Sequence, residues 1–127
     1  MATGIILLGH GSRIPEANEH LKVLAEQVRE ILGGVRVEPC YMTRTHPDLA
    51  EGIATLVKEG RRKIVVVPMF FSNGLHVQRD IPEQLAAARE RYPDVEFIYG
   101  ANLGADRRIA EVIVERIREV APGGFSF

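Results

Sequence analysis

Apolar and polar positions alternate along this chain in two periods, and the change of period marks out its elements. Near-continuous apolar runs at 4–8 (Gly-Ile-Ile-Leu-Leu) and 64–71 (Ile-Val-Val-Val-Pro-Met-Phe-Phe) read as strands covered on both faces. Runs at 35–42 and 95–99 read as two more. Between the runs, apolar residues step by threes and fours. Leu21, Leu24, Ala25, Val28, Ile31 and Leu32 line one face of a first helix, which Gly33 and Gly34 stop. Pro47 stands at the first turn of a second helix, with Leu49, Ile53, Leu56 and Val57 as its apolar face and Gly60 as its stop. Asp80 is placed to cap a third helix that runs through Ile81, Leu85 and Ala88 to near Pro93. Asp106 caps a fourth, whose apolar face is Ile109, Val112, Ile113, Ile117 and Val120. Residues 121–127, with Pro122-Gly123-Gly124 and Phe125-Ser126-Phe127, read as a loose tail.

This alternation predicts an α/β fold: a single (βα)4 domain over residues 1–127 with a parallel four-stranded sheet and right-handed crossovers. The expected strand order is 2-1-3-4, half of a flavodoxin-like domain. In that order the chain leaves strand 1 in one direction and strand 3 in the other. A crevice therefore opens between these two strands at their carboxyl ends, where open α/β sheets bind ligands. Four strands leave two edges, so association with a second copy, a homodimer, is expected.

Both crevice strands end in glycine-set histidines. The first runs into Gly9-His10-Gly11-Ser12-Arg13 and the third into Ser72-Asn73-Gly74-Leu75-His76. Two imidazoles at one switch point suit either a metal ion or proton transfer. Glycines on each side of His10 let the backbone turn sharply, and Ser12 and Arg13 at a helix entrance suit a carboxylate or phosphate. His46 follows strand 2 in Thr43-Arg44-Thr45-His46-Pro47 and reads either as part of a helix cap or as a ligand at the same mouth. His20 falls opposite Leu21 and Leu24 on its helix and reads as solvated. Arg13, Arg44 and Arg79 all lie in loops at this end of the sheet, which suits a polyanion held in bidentate contacts. No Walker loop and no G-x-G-x-x-G is present, so nucleotide binding has no support.

Composition narrows the field. At 127 residues, 46% apolar and 26% charged, the chain suits one soluble domain with a sizeable core. A net charge of -1 gives no reason to expect nucleic acid or an anionic membrane as partner. The single cysteine, Cys40, excludes an internal disulfide and reads as a buried structural thiol in a reducing compartment. Without a leader pattern or a long apolar run, the expected location is the cytoplasm.

Three motifs carry a family resemblance. Leu8-Gly-His-Gly-Ser-Arg13, Val65-Val-Val-Pro68, and Gly74-Leu-His76 running into Arg79-Asp-Ile-Pro82 resemble the short-form CbiX/SirB-like sirohydrochlorin chelatases, over about residues 4 to 120. The resemblance implies a chelatase-like α/β domain, a homodimer, and ATP-independent insertion of a divalent metal (Co²⁺, Fe²⁺ or Ni²⁺) into sirohydrochlorin, with no organic cofactor. It makes His10 and His76 the metal-holding and catalytic pair, with His10 accepting pyrrole N–H protons. It also implies a substrate-contacting segment of Phe71, Ser72, Asn73, Gly74, Leu75 and His76. Ser12, Arg13, Thr43, Arg44 and His46 are expected to meet the carboxylate-rich substrate. The family usually carries acidic residues after strand 2, in a pattern like Met-Glu-x-x-Glu-Pro. Here Met42-Thr-Arg-Thr-His-Pro47 places Thr43 and His46 where those carboxylates stand, with His46 offering a neutral nitrogen donor instead. Two other readings compete: a non-catalytic carrier of tetrapyrrole or metal, and a flavodoxin-like FMN module resting on topology alone.

Overall fold

The computed structural model describes residues 3–72, 74–121 and 123, and for Leu75 and His76 the backbone alone. Strands and helices alternate as β1 (Thr3–Gly9), α1 (Pro15–Ile31), β2 (Arg36–Tyr41), α2 (Leu49–Lys58), β3 (Lys63–Pro68), α3 (Leu75–Arg91), β4 (Glu96–Tyr99) and α4 (Arg107–Val120). The strands form one sheet in the order β2-β1-β3-β4, all neighbours parallel, as the alternation predicts. The expected loose tail lies outside the described residues apart from positions 121 and 123.

One face of the sheet carries the larger core. Ile6, Leu8, Cys40, Ile64, Val66 and Phe97 point to that face and meet Leu49, Ile53 and Leu56 of α2 and Val77, Ile81, Leu85 and Ala88 of α3. Helix α2 comes so close to β2 that a Cβ added at Gly52 would collide with the Cys40 sulfur. Burial pushes the Cys40 thiol up to about 12, which leaves it an inert part of the core as expected. The opposite face carries a smaller cluster of Leu7, Leu21, Ala25, Val37 and Tyr41, formed where α1 lies over β1 and β2.

Several boundaries differ from the sequence reading, each for a physical reason. Helix α3 begins at Leu75 with Gly74 as its N-cap, so Asp80 lies inside the helix rather than capping it. Pro82 also lies inside α3. Strand β3 ends at Pro68, and the chain then bends so that Phe70 is buried while Phe71 turns out to solvent. Pro47 precedes α2 instead of opening it, because Asp48 takes the N-cap and forms a reciprocal capping box with Glu51. In α1 only Leu21 and Ala25 are buried, and Ile31 at its carboxyl end is exposed. Asp106 caps α4 as predicted, accepting from the Arg108 N–H at 2.9 Å, but no residue of α4 is buried. Gly33, Gly34 and Gly60 end their helices with positive φ, as the stop signals require.

Candidate functional site

The carboxyl ends of β1 and β3 are neighbours in the sheet, so the loops that follow them share one rim. The β1 loop is built to hold one shape. Gly11 has φ +91°, and a Cβ there would collide with the Thr43 carbonyl, so only glycine passes this point. From the β2 side, the Met42 N–H donates to the Gly9 carbonyl at 2.8 Å and the Thr43 N–H to the His10 carbonyl at 3.0 Å. The Thr43 hydroxyl donates to that same His10 carbonyl at 3.2 Å. On the other side, Asn18 clasps Ser12, its Oδ1 accepting from the Ser12 N–H at 2.9 Å and its Nδ2 donating to the Ser12 carbonyl at 2.8 Å. The Ser12 hydroxyl accepts from the Ile14 N–H, which turns the chain into α1.

His10 therefore has a fixed backbone and an exposed ring. The imidazole leans on the buried Phe70 ring, with centroids 4.1 Å apart and planes tilted by 39°. No described residue hydrogen-bonds its nitrogens, so the ring can give them to a ligand. It lines an open cleft of about 360 Å³ with Tyr41, Met69, Leu103, and His20 and Leu24 of α1. This corrects the reading of His20. It is exposed, but it stands one turn before Leu24 on the same side of α1 and lines the same cleft as His10.

His76 enters from β3. Its backbone sits in the first turn of α3, two residues after the Gly74 cap, so both histidine-bearing loops reach the same end of the sheet. Its side chain, that of Leu75, and all of Asn73 lie outside the described set. Phe71 and Ser72 are exposed on the way to α3. Among the described residues no three His, Cys, Asp or Glu side chains gather as a ligand set.

The arginines divide. Arg13 and Arg44 line a second small pocket of about 200 Å³ with Ser12, Lys22, Thr45 and His46. Arg79 stands on α3, exposed, rather than in a loop as the sequence reading placed it. His46 is exposed, and its Nδ1 lies 2.7 Å from Glu51 Oε1. Hydrogen bonding and charge from Glu51 raise the His46 pKa, while Glu51 is lowered, first by the Asp48 N–H and then by His46. The ring is thus drawn toward its protonated form and tied through Nδ1 to the residue that completes the α2 cap. Lys22 is held the same way by Glu19, at 2.9 Å.

Sequence reasoning missed the supports of the site more than its centre. Phe70 looked like the end of a strand, and nothing local marks it as the ring beneath His10. Asn18 carried a weak signal, a carboxamide within the first turn after a serine at a helix entrance.

The family model for CbiX matches residues 4–120. The chain is 35% identical to the sirohydrochlorin cobaltochelatase of Methanopyrus kandleri, over 91% of this chain and 94% of that protein. It is 32% identical to a sirohydrochlorin ferrochelatase of Priestia megaterium over 91% of its own length but only 43% of that protein's. In three dimensions it superposes on the sirohydrochlorin chelatase SirB from Bacillus subtilis subspecies spizizenii, solved in complex with cobalt. The TM-score is 0.85 at 29% identity, over 95% of this chain and 52% of that one. It thus spans nearly all of some relatives and about half of others. With a matching α/β sheet, a fixed His10 loop and a family model covering 4–120, the chain belongs to the CbiX family.

Proposed function

We propose that this protein is a sirohydrochlorin metal chelatase, inserting a divalent ion into the macrocycle without ATP. Co²⁺ is the first candidate, with Fe²⁺ or Ni²⁺ as alternatives. The observation that carries the reading is the His10 ring, exposed and unbonded on a backbone fixed by Gly11, Thr43 and Asn18 at the sheet's switch point. Metallation requires removal of two pyrrole N–H protons and delivery of a partly desolvated ion to the ring face. A fixed imidazole with an open ring nitrogen accepts such protons. Imidazole also suits first-row divalent metals without thiolate softness. His76, entering from β3, completes the pair in this reading, and the segment from Phe71 to His76 contacts the macrocycle.

Arg13 and Arg44 supply positive charge for the substrate's carboxylates, while Lys22 beside them is paired with Glu19. The metal is a substrate here, and no organic cofactor is required. The working unit in this reading is a single domain per chain, assembled as a homodimer in the cytoplasm, serving cobalamin or sirohaem synthesis. The test is direct. Purified protein is incubated with sirohydrochlorin and each of Co²⁺, Fe²⁺ and Ni²⁺ while the absorption spectrum is followed. Metallation faster than the spontaneous rate is expected with at least one ion, and no acceleration with any overturns the reading.

One observation favours a second reading, a carrier that binds tetrapyrrole or metal and hands it on. The β2 loop has lost its acidic pair, and the histidine standing in its place is tied to Glu51. A carrier gives metallation that stops at one equivalent per site, whereas the chelatase turns over repeatedly.

A further inference from the structure

The cleft beside His10 holds a second imidazole. Ala17, His20, Leu21 and Leu24 follow one another at the i, i+3, i+4, i+7 spacing of one helix face, and all four line that cleft from α1. Helix and loop meet at close range here, since a Cβ built on Gly9 would stand 3.0 Å from Leu21 Cδ2. His10 follows Gly9 and His20 precedes Leu21, so the two histidines flank this contact. Asn18 fixes their relative position. It bonds Ser12 through both ends of its carboxamide, and its own carbonyl accepts from the Tyr41 hydroxyl at 2.9 Å. One residue of α1 thus fastens the helix to the β1 loop and to β2, and His20 stands two residues further on.

The same bonds use up the other polar side chains of the cleft. Asn18 is spent on Ser12, the Ser12 hydroxyl accepts from the Ile14 N–H, and the Tyr41 hydroxyl donates to Asn18. The remaining side chains there are aliphatic or, at Met69, a thioether. No described carboxylate lines the cleft, and Glu19 lines the neighbouring pocket, where it pairs with Lys22. The β2 loop offers no substitute, because the Thr43 hydroxyl donates to the His10 carbonyl and Glu51 holds His46 Nδ1. The rings of His10 and His20 are left with nitrogen lone pairs to give, since no described residue hydrogen-bonds either.

From this placement we infer that His20 joins His10 in a capture site for the divalent ion, on the α1 side of the cleft, ahead of the ion's transfer to the macrocycle. The inference rests on the metal-holding role proposed for His10 and adds a donor to it. Imidazole suits first-row divalent ions, with Co²⁺ and Ni²⁺ ahead of Fe²⁺ in affinity. Two protein donors leave the ion's other positions to water, so it is held yet stays exchangeable, as a substrate ion has to be. The space is sufficient. About six waters at ~30 Å³ each occupy ~180 Å³, well inside the cleft of about 360 Å³, so the ion enters with its hydration shell. An exposed ring on a helix fastened at Asn18 can meet that ion without disturbing the core.

Titration of the full chain with Co²⁺ alone, without sirohydrochlorin, tests the inference apart from any activity. His20→Ala places the best helix former at an exposed helical position, so the fold is kept and the far-UV spectrum should not change. Calorimetry should show its Kd for Co²⁺ raised roughly tenfold or more, the scale on which metal sites respond when the groups around the ion are removed. In the unaltered chain, the ring resonances of His20 should shift and broaden over the same Co²⁺ concentrations as those of His10, and His10→Ala should move the His20 response to higher concentration. An unchanged Kd in His20→Ala overturns the inference, as does a His20 ring that stays unmoved while His10 responds. A loss of Co²⁺ affinity in His76→Ala with none in His20→Ala overturns it too. Failure of this site is distinguishable from failure of the proposed activity. A chain that metallates sirohydrochlorin while His20 ignores Co²⁺ removes the capture site alone, and one that binds Co²⁺ through both rings but never metallates removes the activity alone.

Discussion

His10 and His46 stand on neighbouring loops at the same end of the sheet, and the two loops treat their histidines in opposite ways. The β1 loop spends its hydrogen bonds on the backbone. Thr43 holds the His10 carbonyl, Asn18 holds Ser12, and the imidazole is left resting on Phe70 with its nitrogens unused by any described residue. In the β2 loop the side chain itself is engaged: His46 gives Nδ1 to Glu51, which also accepts the Asp48 N–H and belongs to the α2 cap. His10 thus has both ring nitrogens open on a fixed backbone, whereas His46 has Nδ1 held by a carboxylate and only Nε2 open, an arrangement that orients a ring without by itself excluding ligation. Placement at the rim is shared, and the partner of each ring sets how it is oriented and charged.

The strongest way to break this comparison is to delete the free ring. His10→Ala should lower the metallation rate roughly a hundredfold or more, the scale of a lost general base, with the circular dichroism spectrum unchanged. His76→Ala should do the same, and near-normal turnover in either variant would remove that residue from the mechanism. Disturbing the brace comes next. Gly11→Ala forces a Cβ into the Thr43 carbonyl at positive φ and should cost about 2–4 kcal/mol of stability, read from the denaturant midpoint. A wild-type midpoint would mean that the loop relaxes and is not held as described.

Charge at the β2 loop gives a smaller effect. His46→Glu should raise the Michaelis constant for the polycarboxylate severalfold, most at low salt, where repulsion is least screened. The same constant at every ionic strength would place His46 outside the substrate's reach. Thr43→Val removes the hydroxyl bond but keeps the backbone bond, so a loss of about 0.5–1 kcal/mol and a modest fall in turnover are expected. A loss as large as that of Gly11→Ala would show that the hydroxyl alone carries the brace.

The least effect is the pH response of the His46–Glu51 pair. Glu51 raises His46 above its ordinary 6.5, so the stabilisation is fully present below that value and fades as pH rises through the higher folded value. Glu51 is lowered from 4.5, so its share is present above that value and fades as pH falls through the lower folded one. Titration of the His46 ring resonances should therefore give a midpoint above that of His46 in a Glu51→Gln variant. Equal midpoints would dissolve the pair.

The sheet was legible because β1 and β3 are compact apolar runs with β2 and β4 as mixed ones, and because Gly33, Gly34 and Gly60 punctuate helices where positive φ is required. The two histidine loops were legible for the same reason, as glycine clusters at strand ends. What escaped depended on partners distant in sequence. Asp80 carries every local sign of a cap, yet the turn at Phe70 and the Gly74 cap start α3 six residues earlier. Periodicity gave α4 its apolar stripe correctly but not what the stripe packs on, because a pattern specifies a face and not its partner. His20 is solvent-exposed as expected, but the i,i+4 spacing to Leu24 puts it on that residue's side of α1, which the sequence reading overlooked.

The contact between Gly52 and the Cys40 sulfur gives the protein an internal clock for its own opening. Any adduct on that thiol needs the room α2 occupies, and a thiol held near 12 barely ionises in neutral buffer. Alkylation must therefore wait until α2 lifts from β2. With excess reagent, the labelling rate of the unaltered chain reports how often this layer separates, and no probe has to be engineered in to observe it.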